Sequence, residues 1–83
     1  VQVQLKLFAS LSRFLPEGAV RNVVPVRVEE GTSIRALLDR YHVPPEHCHL
    51  VLVNGVYQAP EARDTVTLKD GDQLAVWPPV AGG

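Results

Sequence analysis

The chain has a single cysteine, Cys48, and so can form no internal disulfide. That agrees with a reducing compartment, and a cytoplasmic location is the expectation. Basic runs are missing as well. Eight Lys plus Arg stand against nine Asp plus Glu, for a net charge of -1. This leaves no electrostatic footprint for a nucleic-acid backbone or an acidic lipid surface, so neither nucleic acid nor membrane is an expected partner. The longest purely aliphatic run is Leu50–Val53, far short of the roughly 20 residues that span a bilayer. The first residues alternate apolar with polar, where a signal peptide has a continuous apolar segment. A Gly-rich phosphate loop, a paired-cysteine zinc spacing and a Gly-x-Ser-x-Gly elbow are all lacking. No conventional catalytic signature remains, and neither a bound cofactor nor a metal is expected. Internal repeats and low-complexity linkers are also missing.

What is present has the composition of an ordinary globular protein: 83 residues, 46% hydrophobic and 20% charged. A chain of that length fits one domain built around one pairing of layers. "VQVQLKLF" sets Val1, Val3, Leu5 and Leu7 on one face, the period of two of a half-buried strand, with Phe8 as an aromatic on the polar side. "ASLSRFLPEG" carries Leu11, Phe14 and Leu15 at helical spacing, which predicts a helix of two turns or fewer. "VVPVRVEEG" predicts a second strand with Val24, Val26 and Val28 inward, and Pro25 argues for an edge position beside the first strand. "TSIRALLDRYHVPP" predicts the long helix, capped by Thr32 or Ser33, with Ile34, Leu37, Leu38 and Tyr41 as its apolar stripe and Pro44-Pro45 as its end. "LVLV" reads as a strand buried on both sides, Asn54-Gly55 as a two-residue hairpin, "APEARDT" as loop, "VTL" as a short strand, "KDGD" as a turn, and "QLAVW" as the last strand. The expected fold is α+β: a single twisted mixed sheet with one long helix packed across it.

Three features are candidates for function. In "HCH", Cys48 points away from His47 and His49 along an extended chain, so the cluster offers two ligands on one face and no third; loop histidines around a buried cysteine is the favoured reading. Phe8 and Trp77 both fall on the outer sheet face, with Tyr57 as a possible third across the hairpin. Together they either form a partner-binding patch or are covered by the short first helix. The third feature is the ending "WPPVAGG". Pro78 and Pro79 stop strand pairing and hold Val80, Ala81, Gly82 and Gly83 away from the body, so residues 78–83 are expected to be a flexible tail that enters a narrow channel in another protein and presents its α-carboxylate there. A cloning remnant is the alternative.

The "LKDGDQLAVWPPVAGG" ending, behind a strand–helix–strand opening and a "VLVNG" segment, resembles the MoaD/ThiS family of sulfur carrier proteins, which are ubiquitin-like β-grasp domains. The likeness runs over essentially the whole chain, 1–83. "LFASLSRFLPEG" and "PPVAGG" are more similar to the small subunit of molybdopterin synthase than to the shorter thiamine carriers. The resemblance implies that an E1-like adenylating enzyme uses ATP to activate the Gly83 carboxylate, that a sulfur donor displaces AMP to leave a thiocarboxylate, and that the sulfur passes to a synthase large subunit or an equivalent acceptor. Molybdopterin or the related tungsten cofactor is the implied product. It also implies that Gly82 must lack a side chain, and that Phe8, Tyr57, Trp77, Pro78, Pro79, Val80 and Ala81 dock partners. A ubiquitin-like modifier joined through Gly83 to target lysines, a carrier for thiamine or another metabolite, and an interaction domain with an inert tail remain alternatives.

Overall fold

The computed structural model of the chain describes residues 1–80. The alternation in the opening segment forms β1 (Gln2–Leu7), whose Val3, Leu5 and Leu7 are fully buried. β2 (Val23–Arg27) pairs antiparallel to it, with Pro25 opposite Gln4. The sheet has five strands in the order β2-β1-β5-β3-β4, so β2 is an edge strand, where a proline without an N–H breaks no ladder. β3 is Leu50–Val53, β4 is Val56–Tyr57 and β5 is Gln73–Trp77. β1 and β5 run parallel at the centre, and the other pairs are antiparallel. Helix α1 (Ile34–Arg40) buries Ile34, Leu37 and Leu38 in one cluster with Leu5, Leu7, Val51, Leu74 and Val76. The result is the β-grasp topology, with one core on the helix side of the sheet.

The first N–H groups of α1 all find acceptors. Ile34 donates to the Val66 carbonyl at 3.1 Å, Arg35 to the Arg63 carbonyl at 2.9 Å, and Ala36 to Ser33 Oγ at 3.0 Å. Ser33 is thus the cap. The helix is shorter than its sequence pattern indicates. It stops before the prolines because His42 adopts a left-handed φ of 62°, with its N–H on the Asp39 carbonyl and that of Val43 on the Leu38 carbonyl, both at 3.0 Å. That is a Schellman closure, in which the buried Val43 returns the chain to the core. Histidine is among the residues that tolerate this region. Tyr41 is therefore the C-cap, and it still packs, half-buried, against the core as the end of the apolar stripe.

Two further expectations are corrected. "VTL" forms only an isolated bridge between Thr67 and Ser33. The Val66 carbonyl accepts from Ile34, and the Leu68 N–H donates to Thr32, so the segment is tied to the helix start instead of the sheet. β3 is not buried on both sides: Val51 is inaccessible, while Leu50 and Leu52 are half-exposed on the outer face.

"NG" and "KDGD" meet at one end of the sheet. Asn54 and Gly55 both have positive φ, 51° and 83°, as a type I′ hairpin requires. Asp72 accepts from Asn54 Nδ2 and from the Lys69 N–H, each at 2.8 Å, and Asn54 Oδ1 accepts from the Gln73 N–H at 2.9 Å. Asp70 accepts from the Gln2 N–H at 2.7 Å. Replacing Asp72 with Ala removes both acceptor roles at an exposed site, so a loss of about 1 kcal/mol in urea unfolding is expected. An unchanged midpoint would show that water replaces the carboxylate in full.

Candidate functional site: the strand exit and the outer sheet face

The opposite end of the sheet is where the chain leaves β5. The Val76 carbonyl accepts from the Phe8 N–H at 3.1 Å on one side, and the Trp77 carbonyl accepts from the His49 N–H at 3.0 Å on the other. Pro78 has no N–H to continue the ladder, so pairing ends there. Pro78 is half-buried, Pro79 is exposed, and Val80 stands 77% exposed. The exit of the tail is thereby held from both flanks. Ala81, Gly82 and Gly83, the sequence-predicted reactive end, lie outside the described residues.

Phe8 and Trp77 come together. Their ring centroids are 4.5 Å apart and their planes within 10° of parallel. The first helix does not cover them. It is a 3-10 helix over Ala9–Phe14 that sends Leu11 into the core, and Ala9 makes the necessary bend with a φ of 51°. Both rings remain half-exposed. Tyr57 shares their face but sits two strands away. Leu50 lies opposite Trp77, while Leu52 lies opposite both Ala75 and Tyr57. The patch is therefore continuous only through Leu50, Leu52 and Ala75. The alternation of "QLAVW" already places Ala75 outward with Trp77, but sequence reasoning missed Leu50 and Leu52, although the doubly apolar "LVLV" was the available signal. Beside the exit, an open and mostly apolar groove is lined by Ala9, Ser10, Leu50, Trp77, Pro79 and Val80.

The "HCH" segment places Cys48 inside, with its thiol 3.4 Å from the Pro44 carbonyl, and leaves His47 and His49 exposed. Burial pushes the Cys48 thiol above its ordinary range, against the opposing pull of the Arg63 charge. A protonated, enclosed thiol is a packing group rather than a nucleophile. Among the described residues no group of three His, Cys, Asp or Glu side chains is placed to hold a metal. One buried charge, Arg63, had no signal in the sequence beyond its place in the "APEARDT" loop.

Comparison with known proteins agrees with the fold. The model of the ThiS family matches residues 5–83. The molybdopterin synthase sulfur carrier subunit of Drosophila erecta is 31% identical over 78 residues, covering 93% of this chain and 87% of the relative. Among solved structures, SAMP1 from Haloferax volcanii aligns over the whole of both chains with 27% identity and a TM-score of 0.69. A putative molybdopterin converting factor subunit 1 from Pyrococcus furiosus aligns over 96% of this chain and 99% of its own, with 25% identity and a TM-score of 0.69. With its β-grasp body and this match over nearly its full length, the chain belongs to the ThiS family, the MoaD/ThiS sulfur carriers.

Proposed function

We infer that the chain is the sulfur-donating small subunit of a molybdopterin synthase-like complex. Its Gly83 carboxylate attacks ATP on an E1-like enzyme, forming an acyl-adenylate and releasing pyrophosphate. A sulfur donor then displaces AMP to leave a thiocarboxylate. The sulfur of this soft nucleophile attacks a precursor held by a large subunit, displacing a leaving group, and water then cleaves the acyl–sulfur bond, so that the sulfur stays on the precursor and the terminus returns to a carboxylate. The observation that carries the reading is the doubly held exit of β5 beside an uncovered apolar face: the body offers a docking surface, and the tail starts from a fixed point on its rim. Likeness to the Drosophila sulfur carrier subunit supports the molybdopterin branch.

A second reading, a modifier joined through Gly83 to target lysines, uses the same terminus and fits the likeness to SAMP1. The two differ in the fate of the acyl group. With acceptor enzyme and precursor, a carrier loses its thiocarboxylate and leaves no high-mass adduct. Gly83-dependent conjugates that survive reductant and denaturant, without thiocarboxylate turnover, decide for the modifier.

The face makes its own prediction. Trp77→Asp places a charge beside Phe8 in the patch, and affinity for the activating enzyme or the large subunit should fall by about 2 kcal/mol, roughly thirtyfold. Loss of the Phe8–Trp77 stack should reduce folding stability by only about 1 kcal/mol. Calorimetric titration and thermal unfolding of the same variant separate the two. Strong destabilisation with intact binding by the folded fraction would show that the aromatics serve the core.

A further inference from the structure

Arg63 is the only charged side chain buried among the described residues, at 5% exposure. Its guanidinium meets backbone rather than a carboxylate. Nη1 donates to the Cys48 carbonyl at 2.7 Å, Nε donates to the Gln58 carbonyl at 3.1 Å, and Nη2 lies 3.5 Å from the His49 carbonyl. These carbonyls come from two stretches, one before β3 and one after β4. A rigid fork of N–H donors suits the task of holding both at once. The His49 N–H in turn donates to the Trp77 carbonyl, the last hydrogen bond on that side of β5 before Pro78. On the other side the exit is held by Phe8, which follows directly from a central strand. His49 likewise adjoins an interior strand, directly preceding β3, whose Leu50 lies opposite Trp77, but its N–H is shared between the Trp77 carbonyl at 3.0 Å and the His47 carbonyl at 3.1 Å. It sits in an irregular corner between a 3-10 turn at Pro45–His47 and the start of β3.

We propose that Arg63 is a positioning residue for the tail: by clamping the Cys48–His49 corner it keeps the His49 N–H on the Trp77 carbonyl and so sets where the chain leaves β5. A side chain distant in sequence from the terminus thus governs how the terminus is presented. The consequence for activation rests on the carrier reading, whereas the consequence for the hydrogen bond does not.

The test compares the full-length chain with its R63K variant. Lysine keeps the charge and most of the stem but replaces the fork by a single ammonium, so the corner loosens while the core is retained. Amide hydrogen exchange is read at His49 and at Phe8, and activation is read as ATP-dependent pyrophosphate release by the E1-like enzyme. In R63K the His49 amide should exchange about tenfold faster or more while Phe8 is unchanged. KM for the carrier should rise about fivefold, with kcat held within about twofold, because a misdirected tail binds less often in the productive geometry. Unchanged His49 exchange in the folded variant overturns the proposal. So does equal acceleration at His49 and Phe8, which marks a general structural role, and so does faster His49 exchange with KM unmoved. If R63K does not fold, native-state exchange of the parent chain in urea decides. The His49 amide and the Arg63 Nε–H opening in one event that precedes Phe8 supports the proposal, and separate opening overturns it. Should the parent chain never be activated, the carrier reading fails while the exchange comparison still decides whether Arg63 holds the exit.

Discussion

A chain shortened by one residue, ending at Gly82, is expected to take up no sulfur while unfolding at the same temperature as its parent. The two halves of that result have separate causes. On the proposed carrier reading the acyl-adenylate forms at the α-carboxylate, and removing Gly83 withdraws that group by the length of one residue from a catalytic centre built to receive it. Proximity and alignment are worth many powers of ten in rate, so a displacement of about 3.5 Å is not made up by diffusion. Stability is unaffected because the residues that hold β5 lie upstream: the Phe8 and His49 N–H groups act on Val76 and Trp77, and Pro78 already ends the ladder. Mass spectrometry after incubation with the E1-like enzyme, ATP and a sulfide source reads the first half as the presence or absence of an oxygen-to-sulfur exchange at the terminus, and calorimetry reads the second. Sulfur on the shortened chain would remove Gly83 from the mechanism.

The largest expected effect on folding belongs to Arg63→Ala. The substitution leaves the buried Cys48 carbonyl and the part-buried Gln58 carbonyl without donors, and each such group costs the desolvation it can no longer recover. Together with the lost stem packing, the loss should reach about 3 kcal/mol. A domain of this size has a total stability of about 4–12 kcal/mol, so the urea midpoint should fall by about a quarter or more. Arg63→Met restores the stem but not the donors, and should recover only about 1 kcal/mol of that loss. If methionine recovers it all, the carbonyls are hydrated and the guanidinium is dispensable to the fold.

Much of the sheet could be read directly because its signals are local. Alternation in β1, β2 and β5, the edge proline, and Asn54-Gly55 each concern neighbours a few residues apart. The errors lie where distant segments compete for the same backbone groups. Thr67 was free by pattern to join the sheet, but its neighbours Val66 and Leu68 are bonded to Ile34 and Thr32 at the start of the helix. The helix lost its last turn to a left-handed residue that hydropathy does not register. Of the site, the stacked pair Phe8 and Trp77 was legible as two aromatics on the wrong face of their strands. Leu50 and Leu52 were hidden because an apolar residue looks the same to a sequence whether it meets a core or a partner. Arg63 was hidden because its ligands are carbonyls, and carbonyls leave no mark in composition.

β5 joins two regions with different duties. At Gln73 it is bonded to the Asn54–Asp72 clamp, and at Trp77 it delivers the tail. The strand between them spans roughly 14 Å, beyond the range over which substitutions usually interact. The molecule can therefore change in two currents that do not mix: variation around Asp70-Gly71-Asp72 retunes how firmly the domain is closed, and, on the proposed docking role of the outer face, variation around Phe8 and Trp77 retunes whom it meets. Combining Asp72→Ala with Trp77→Asp should give a coupling energy near zero in both stability and affinity. A lineage acquiring a new partner would be free to rework one end of this strand without first reinforcing the other.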